Sequence, residues 1–249
     1  MSEAFYEVDA QLRAARAQAL ARRAWPYALG VLIALAVAGL AAWGWSSWQA
    51  AQNAKAADAY ATGVGALTQN DAHAAEAAFG PLTRSAPRAY RAMALMQVAG
   101  LRLAKHKDAA AIELLDQAGR VAPGPVLGDA ALLKAALVAM DSRPYGDVAA
   151  RLQPLTRTGR PFRVLAREAL GMAKLAAGAP VEAKSDFVAV SLSTEASDTD
   201  RARARAAISL IDDGSAKSLP ALIRAAAALP PPSNLPLLPI APAAGAAAQ

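Results

Sequence analysis

The chain has 249 residues, 55% of them hydrophobic and 18% charged, with no cysteine and a formal net charge of +6. The absence of cysteine excludes disulfides, thiolate metal sites and lipoprotein attachment. Only two histidines, His73 and His106, occur, and no HExxH, phosphate loop, paired-glycine dinucleotide fingerprint or GxSxG is present. No catalytic, metal or cofactor site is therefore expected.

Residues 1–24 form a head that carries Glu3, Glu7 and Asp9 together with Arg13, Arg16, Arg22 and Arg23. Phe5, Val8, Leu12, Ala15, Ala19 and Trp25 recur at mostly helical spacing. Two readings stand for this head: a short amphipathic helix on a membrane surface, or a solvated arm whose charges set topology.

The stretch 25–48 is read as a transmembrane helix. Pro26 to Trp45 as a helix is roughly 30 Å long, the thickness of a hydrocarbon core. No charge falls between Arg23 and Lys55, and Trp25, Tyr27, Trp43, Trp45 and Trp48 gather at the two ends, where amphipathic rings sit at headgroup depth. Four arginines precede the span, and Lys55 is the only positive residue between it and Arg84. The positive-inside rule puts the N-terminus in the cytoplasm and the bulk of the chain on the other side. A cleaved signal peptide is the rival; its apolar stretch is usually shorter and its head shorter and less acidic.

Residues 55–228 are rich in alanine and leucine and are broken at regular intervals, which predicts helices. They are expected at 55–69, 72–85, 88–105, 108–121, 126–141, 145–157, 161–177, 180–193, 198–212 and 218–228. Asp198 or Thr199 is the expected cap of the ninth, and Ser218 of the tenth. A repeat underlies them. Gly63, Ala75, Phe79 and Leu82 are matched by Ala99, Ala111, Leu115 and Ala118, then by Ala136, Val148, Leu152 and Leu155, then by Gly171, Ala183, Phe187 and Val190. The register advances by 36, 37 and 35 residues. Breakers keep phase: "QNDAH", "KHKD", "DSRPYG" and "AGAP" within units, "SAP", "VAPGP" and "TGRP" between them. Small residues on the first helix of a pair let the second approach, and a larger side chain fills the gap.

This pattern resembles the tetratricopeptide repeat, with Gly63, Ala75, Phe79 and Pro87 at the expected places in the first unit and Gly171, Ala183 and Phe187 in the fourth. The expected fold class is all-α: a single N-terminal transmembrane helix followed by a tetratricopeptide-like α-solenoid. Residues 229–249 are read as a disordered or polyproline-II tail, uncharged and with six prolines; "LPLLPI" within it either docks on a partner or is plain unstructured chain.

Such repeats bind ligands on the face formed by the first helix of each pair. The register projects Tyr60, Val64, Met93, Met96, Leu133, Leu137, Met140, Glu168, Met172 and Leu175 onto that face. Flexible thioethers suit varied, partly unfolded client segments. Equally, methionine fills gaps in cores, and the C-terminal helices or tail would cover these residues. "RARAR" at 201–205 places Arg203 nearly opposite Arg201 and Arg205 and has no stacking aromatics beside it. It reads as a solvated helix, and no nucleic acid is expected.

Taken together, the head "FYEVDAQLR", the span ending in "GWSSWQ" and "RARARAAISLIDDGSAKSLPAL" resemble the ancillary SecYEG translocon subunit family (YfgM-like) in its alphaproteobacterial form. That resemblance implies a bacterial inner-membrane protein with a periplasmic repeat domain. It implies as partners the SecYEG channel and the membrane-anchored periplasmic chaperone PpiD, with a role in handling secreted or envelope clients as they emerge. A structural scaffold for another envelope complex, in cytochrome maturation or division, is the competing reading.

Overall fold

The computed structural model describes residues 3–218 and 220–221, with side chains at 30, 32 and from 35 onward. The tail 229–249 and most of the helix expected at 218–228 lie outside the described residues, as do the side chains of the head. Among the described residues there are nine α-helices, two 3-10 turns and no strand. They are α1 (Glu3–Thr68), α2 (Ala72–Ser85), α3 (Arg88–Leu103), α4 (Asp108–Val121), α5 (Pro125–Ser142), α6 (Tyr145–Leu152), α7 (Arg163–Ala176), α8 (Pro180–Ser191) and α9 (Asp198–Asp212). Two compact units result, Met1–Val98 and Ala99–Gln249.

In the first unit α1 packs against α2. Phe79 is fully buried and lies over Gly63, where a Cβ would come within 2.6 Å of its ring. Only a residue without a side chain admits the ring at that depth. Tyr60 sits one turn away and meets Phe79 at 5.3 Å between ring centroids. The expected helix at 55–69 is the end of α1: no break separates the apolar segment from the first repeat helix. Leu32, Leu35, Val37, Leu40, Trp43, Trp45 and Trp48 on α1 are all exposed, by 56–70%. Among the described residues, no helix is long and apolar enough to cross a membrane. The side chains of 25–29, 31, 33 and 34, which belong to the expected span, lie outside that description.

In the second unit each helix from α4 to α9 packs against the next, and α5 also touches α7. One core gathers Ile112, Leu133, Ala136, Val148, Leu152, Leu155 and Leu170; another gathers Leu175, Ala183, Phe187, Val190 and Ala204. Gly171 lies under Phe187, where a Cβ would be 2.9 Å from the ring, repeating the Gly63–Phe79 arrangement. Ala136 and Leu152 hold the same positions in the repeat between them and are fully buried.

The breakers have a common geometry. Asn70, His106, Gly178 and Gly214 all have positive φ. They fall at intervals of 36, 72 and 36 residues. At the first three, the next residue's N–H bonds the carbonyl five back (Asp71 to Ala66, Lys107 to Arg102, Ala179 to Lys174), and the residue itself bonds the carbonyl three back. This paired closure ends a helix on a left-handed residue. The missing member of the series is the third unit, where α5 runs on to Ser142 and stops before Pro144. Proline has no N–H and forces the preceding Arg143 into extended backbone, which is what is found (ψ 152).

Two boundaries depart from the pattern-based reading. The helix expected over 145–157 changes at Gln153 to a 3-10 turn, because Pro154 cannot donate to the α-helical ladder. The N-cap of α9 is Ser197, with Asp200 completing a capping box, and not Asp198 or Thr199.

Candidate partner-binding face

The face projected from the register sorts into packed and open residues. In the first unit Tyr60, Val64, Met93 and Met96 are half-buried. Tyr60 is held in place: Gln97 Nε2 donates to its hydroxyl at 2.8 Å, and its ring lies against Phe79 and Tyr90. Here it braces the turn of α1 over α2.

In the second unit Leu133 and Leu175 are buried and belong to the two cores. They pack and do not present themselves to a partner, which corrects their projection onto the open face. The projection fixes a residue's azimuth on its own helix. It does not fix how far the neighbouring helix leans over it. Leu137 on α5 and Met172 on α7 are open, each 46% exposed, and stand 35 residues apart in equivalent repeat positions. Met140 and Glu168 are half-buried.

Glu168 shows how these helices line up. Arg203 on α9 grips it with two parallel bonds, Nε to Oε1 at 2.7 Å and Nη2 to Oε2 at 2.9 Å, and also reaches Asp200 Oδ1 at 2.6 Å. These carboxylates hold the guanidinium protonated even beyond its usual range, Glu168 being the larger cause. Leu165, Glu168 and Met172 follow at i, i+3 and i+7 and so share a side of α7; Arg203 and Leu210 share a side of α9 by the same spacing. The bridge ties those two sides together. Leu165 and Leu210 are both exposed, so they extend the open row. Neither was on the projected face; for Leu165 the available signal was its place one heptad before Met172, whereas Leu210 stands 35 residues after the buried Leu175 and had no such signal.

The row is apolar, and Glu168, the charge on its side of α7, accepts from Arg203. Lys174, on another side of α7, donates to Asp186 Oδ2 at 2.6 Å. A second 35-residue pair, Arg151 to Asp116 at 2.9 and 3.3 Å, staples α6 to α4, and Asp116 lifts the Arg151 pKa. Arg201 points elsewhere, to the carbonyls of Ser193 at 3.0 Å and Ala196 at 2.5 Å and to Asp198. Within "RARAR", Arg203 thus braces α9 to α7, Arg201 fastens the turn that leads into α9, and Arg205 is exposed.

At one end of the row is a pocket of about 170 Å3 where α5, α6 and α7 meet. Met140, Val148, Ala173 and Ala177 supply its apolar walls, and Arg143 and Tyr145 its polar ones. Below the other end, Asp129 is 1% exposed and ion-paired with Arg160. Burial pushes this carboxyl above the usual range, and Arg160 opposes that. Asp129 Oδ2 and Arg160 Nε are buried without a protein partner. Among the described residues no cluster of His, Asp and Glu of metal-binding size occurs.

No curated protein and no solved structure matches the chain. The tetratricopeptide repeat-like domain family matches residues 23–211, from the start of the apolar segment to the end of α9. That match covers well over half of the chain, and the chain belongs to the tetratricopeptide repeat-like domain family.

Proposed function

We propose that the chain is a membrane-anchored adaptor that holds polypeptide partners on the open row of its first helices, at the Sec translocon, and helps handle secreted or envelope proteins as they emerge. A repeat domain of this family is a protein–protein interaction scaffold. The observation that carries the finer reading is the row itself: Leu137, Leu165, Met172 and Leu210 exposed on α5, α7 and α9, beside charges already paired. Large apolar side chains left exposed at repeat-related positions suit a contact surface. Leucine and methionine side chains repack around varied sequences, which suits clients without a fixed shape.

Anchoring is supported by α1. Seven large apolar side chains from Leu32 to Trp48 are exposed on it, whereas water disfavours each by roughly 1.5–3 kcal/mol relative to burial. Lipid is the solvent that removes this cost. The N-terminal arginines support an orientation with the head in the cytoplasm and the repeats on the far side, which for the proposed bacterial inner membrane is the periplasm. Alkaline extraction is expected to leave the protein in the membrane fraction, and a tag at Gln249 to be protease-accessible only from the periplasmic side.

The partner assignment is tested by photo-crosslinkers at positions 137 and 172 in intact membranes. Channel subunits, a membrane-anchored periplasmic chaperone and emerging envelope proteins are the expected products. Recovery of cytochrome-maturation or division components alone would retain the adaptor and remove the translocon. Leu137→Glu with Met172→Glu is expected to lower capture about fivefold or more. Because both positions are open, the same change moves folding stability by less than about 1 kcal/mol.

A further inference from the structure

Two features of the second unit converge at one place. Ala177 lines the pocket between α5, α6 and α7, and the next residue, Gly178, turns the chain toward α8 with φ +81. Pro220 approaches to 4.0 Å of the position that a Cβ on Gly178 would take. The last described residues therefore leave the repeats beside the pocket's rim. At least 28 residues follow, 222–249, enough to span roughly 90 Å if extended.

The composition of that segment matches the surface it leaves. No charged side chain occurs from Ala225 onward, and "LPLLPI" at 235–240 sets four large aliphatic residues among prolines. The row and pocket offer Leu137, Met172, Met140 and Val148, and Glu168, the α7 charge on the row's side, is engaged by Arg203. An uncharged occupant leaves that pair intact, whereas a charged one would have to displace it or lose its own hydration. Proline-rich chain gives up little freedom on binding. Tethering supplies an effective concentration of about a millimolar, so even a weak contact is populated.

We propose that the C-terminal segment folds back so that Leu235–Ile240 fills this pocket and covers Leu137 and Met172, as an intramolecular competitor of outside partners. The competition rests on the adaptor reading; the occupancy does not.

The chain has no cysteine, so single thiols report on the face directly. The full chain carrying Met172→Cys is compared with the same chain also carrying Leu237→Asp, Leu238→Asp and Ile240→Asp. Maleimide is expected to react about threefold more slowly in the first, the rate expected if the face is open about a third of the time. Equal rates overturn the proposal. A chain with Leu137→Cys and Ser233→Cys, treated with a short bis-maleimide, is expected to give an internal link at monomer mass. Products linking two chains would assign the face to a second copy and overturn it, as would no link. A photo-crosslinker at position 137 separates this outcome from that of the adaptor reading. A thiol protected by the segment with no partner captured in either chain upholds the fold-back and removes the adaptor. Equal labelling with equal capture does the reverse.

Discussion

Arg160 offsets the cost of burying the Asp129 carboxylate, and the sign of that arrangement is testable. Desolvation raises the folded-state pKa of Asp129 above its ordinary 3.8. The folded chain then binds a proton more tightly than the unfolded one, so this group adds stability as pH falls from neutrality through its folded pKa. Arg160→Ala strands the charge and is expected to cost about 1–3 kcal/mol at pH 7, discounted because Arg160 is a third exposed. Denaturant unfolding at pH 5 should recover part of that loss; an equal loss at both pH values would mean that the stranded charge is not its source. Other single residues are strained by the backbone. His106 holds a left-handed conformation (φ 54) in which a Cβ costs about 1 kcal/mol. His106→Gly is expected to raise stability by about 0.5 kcal/mol after the added freedom of the unfolded chain is subtracted. Gly171→Ala, by contrast, drives a methyl against Phe187 and is expected to cost about 1–3 kcal/mol. The glycine–aromatic pairs were legible in the sequence because both members keep a fixed offset of 16 residues. The Asp129–Arg160 pair was not, since nothing in a local pattern marks a lone acid on an apolar helix as buried.

Helices were legible where composition and breakers agreed. α2, α4 and α9 end where the alanine-rich runs end, and the left-handed residues after α1, α3 and α7 sit in the breakers "QND", "KHK" and "AGA". The cap of α9 was displaced by one or two residues because Asp198, Thr199 and Ser197 are all good caps. What decides among them is the reciprocal bond: Ser197 Oγ accepts from the Asp200 N–H at 3.1 Å, and Asp200 Oδ2 accepts from the Ser197 N–H at 3.0 Å. Ser197→Ala is expected to cost about 1 kcal/mol, read as fraying of α9 by hydrogen exchange. The Ser197 hydroxyl and N–H hold the Asp200 carboxyl below its usual range. Its contribution is therefore present above about pH 4 and lost as pH falls through the depressed pKa, opposite in sign to Asp129. A thermal melt that improved below pH 4 in the wild type but not in Ser197→Ala would contradict this.

At the scale of the whole chain, repeat spacing carried the reading furthest: it placed the helices and identified the open positions Leu137 and Met172. It misplaced Leu133 and Leu175, because a period in sequence does not say which neighbour covers a side chain. It also treated the apolar segment and the first repeat helix as separate elements. They are one helix, Glu3–Thr68, roughly 100 Å from end to end. Such a rod acts as an axle. Gly63, which seats Phe79, and Trp48 are keyed to the same shaft, so the azimuth of one dictates that of the other. Inserting one alanine after Gln52 would swivel everything beyond it by about 100° while lifting it about 1.5 Å, whereas seven alanines would bring the heading back to within about 20°. On the anchored reading proposed above, a crosslinker at the exposed Thr62 should lose its membrane-borne neighbours with the first insertion and regain them with the second. Unchanged products after the single insertion would show that torque is not transmitted along the shaft.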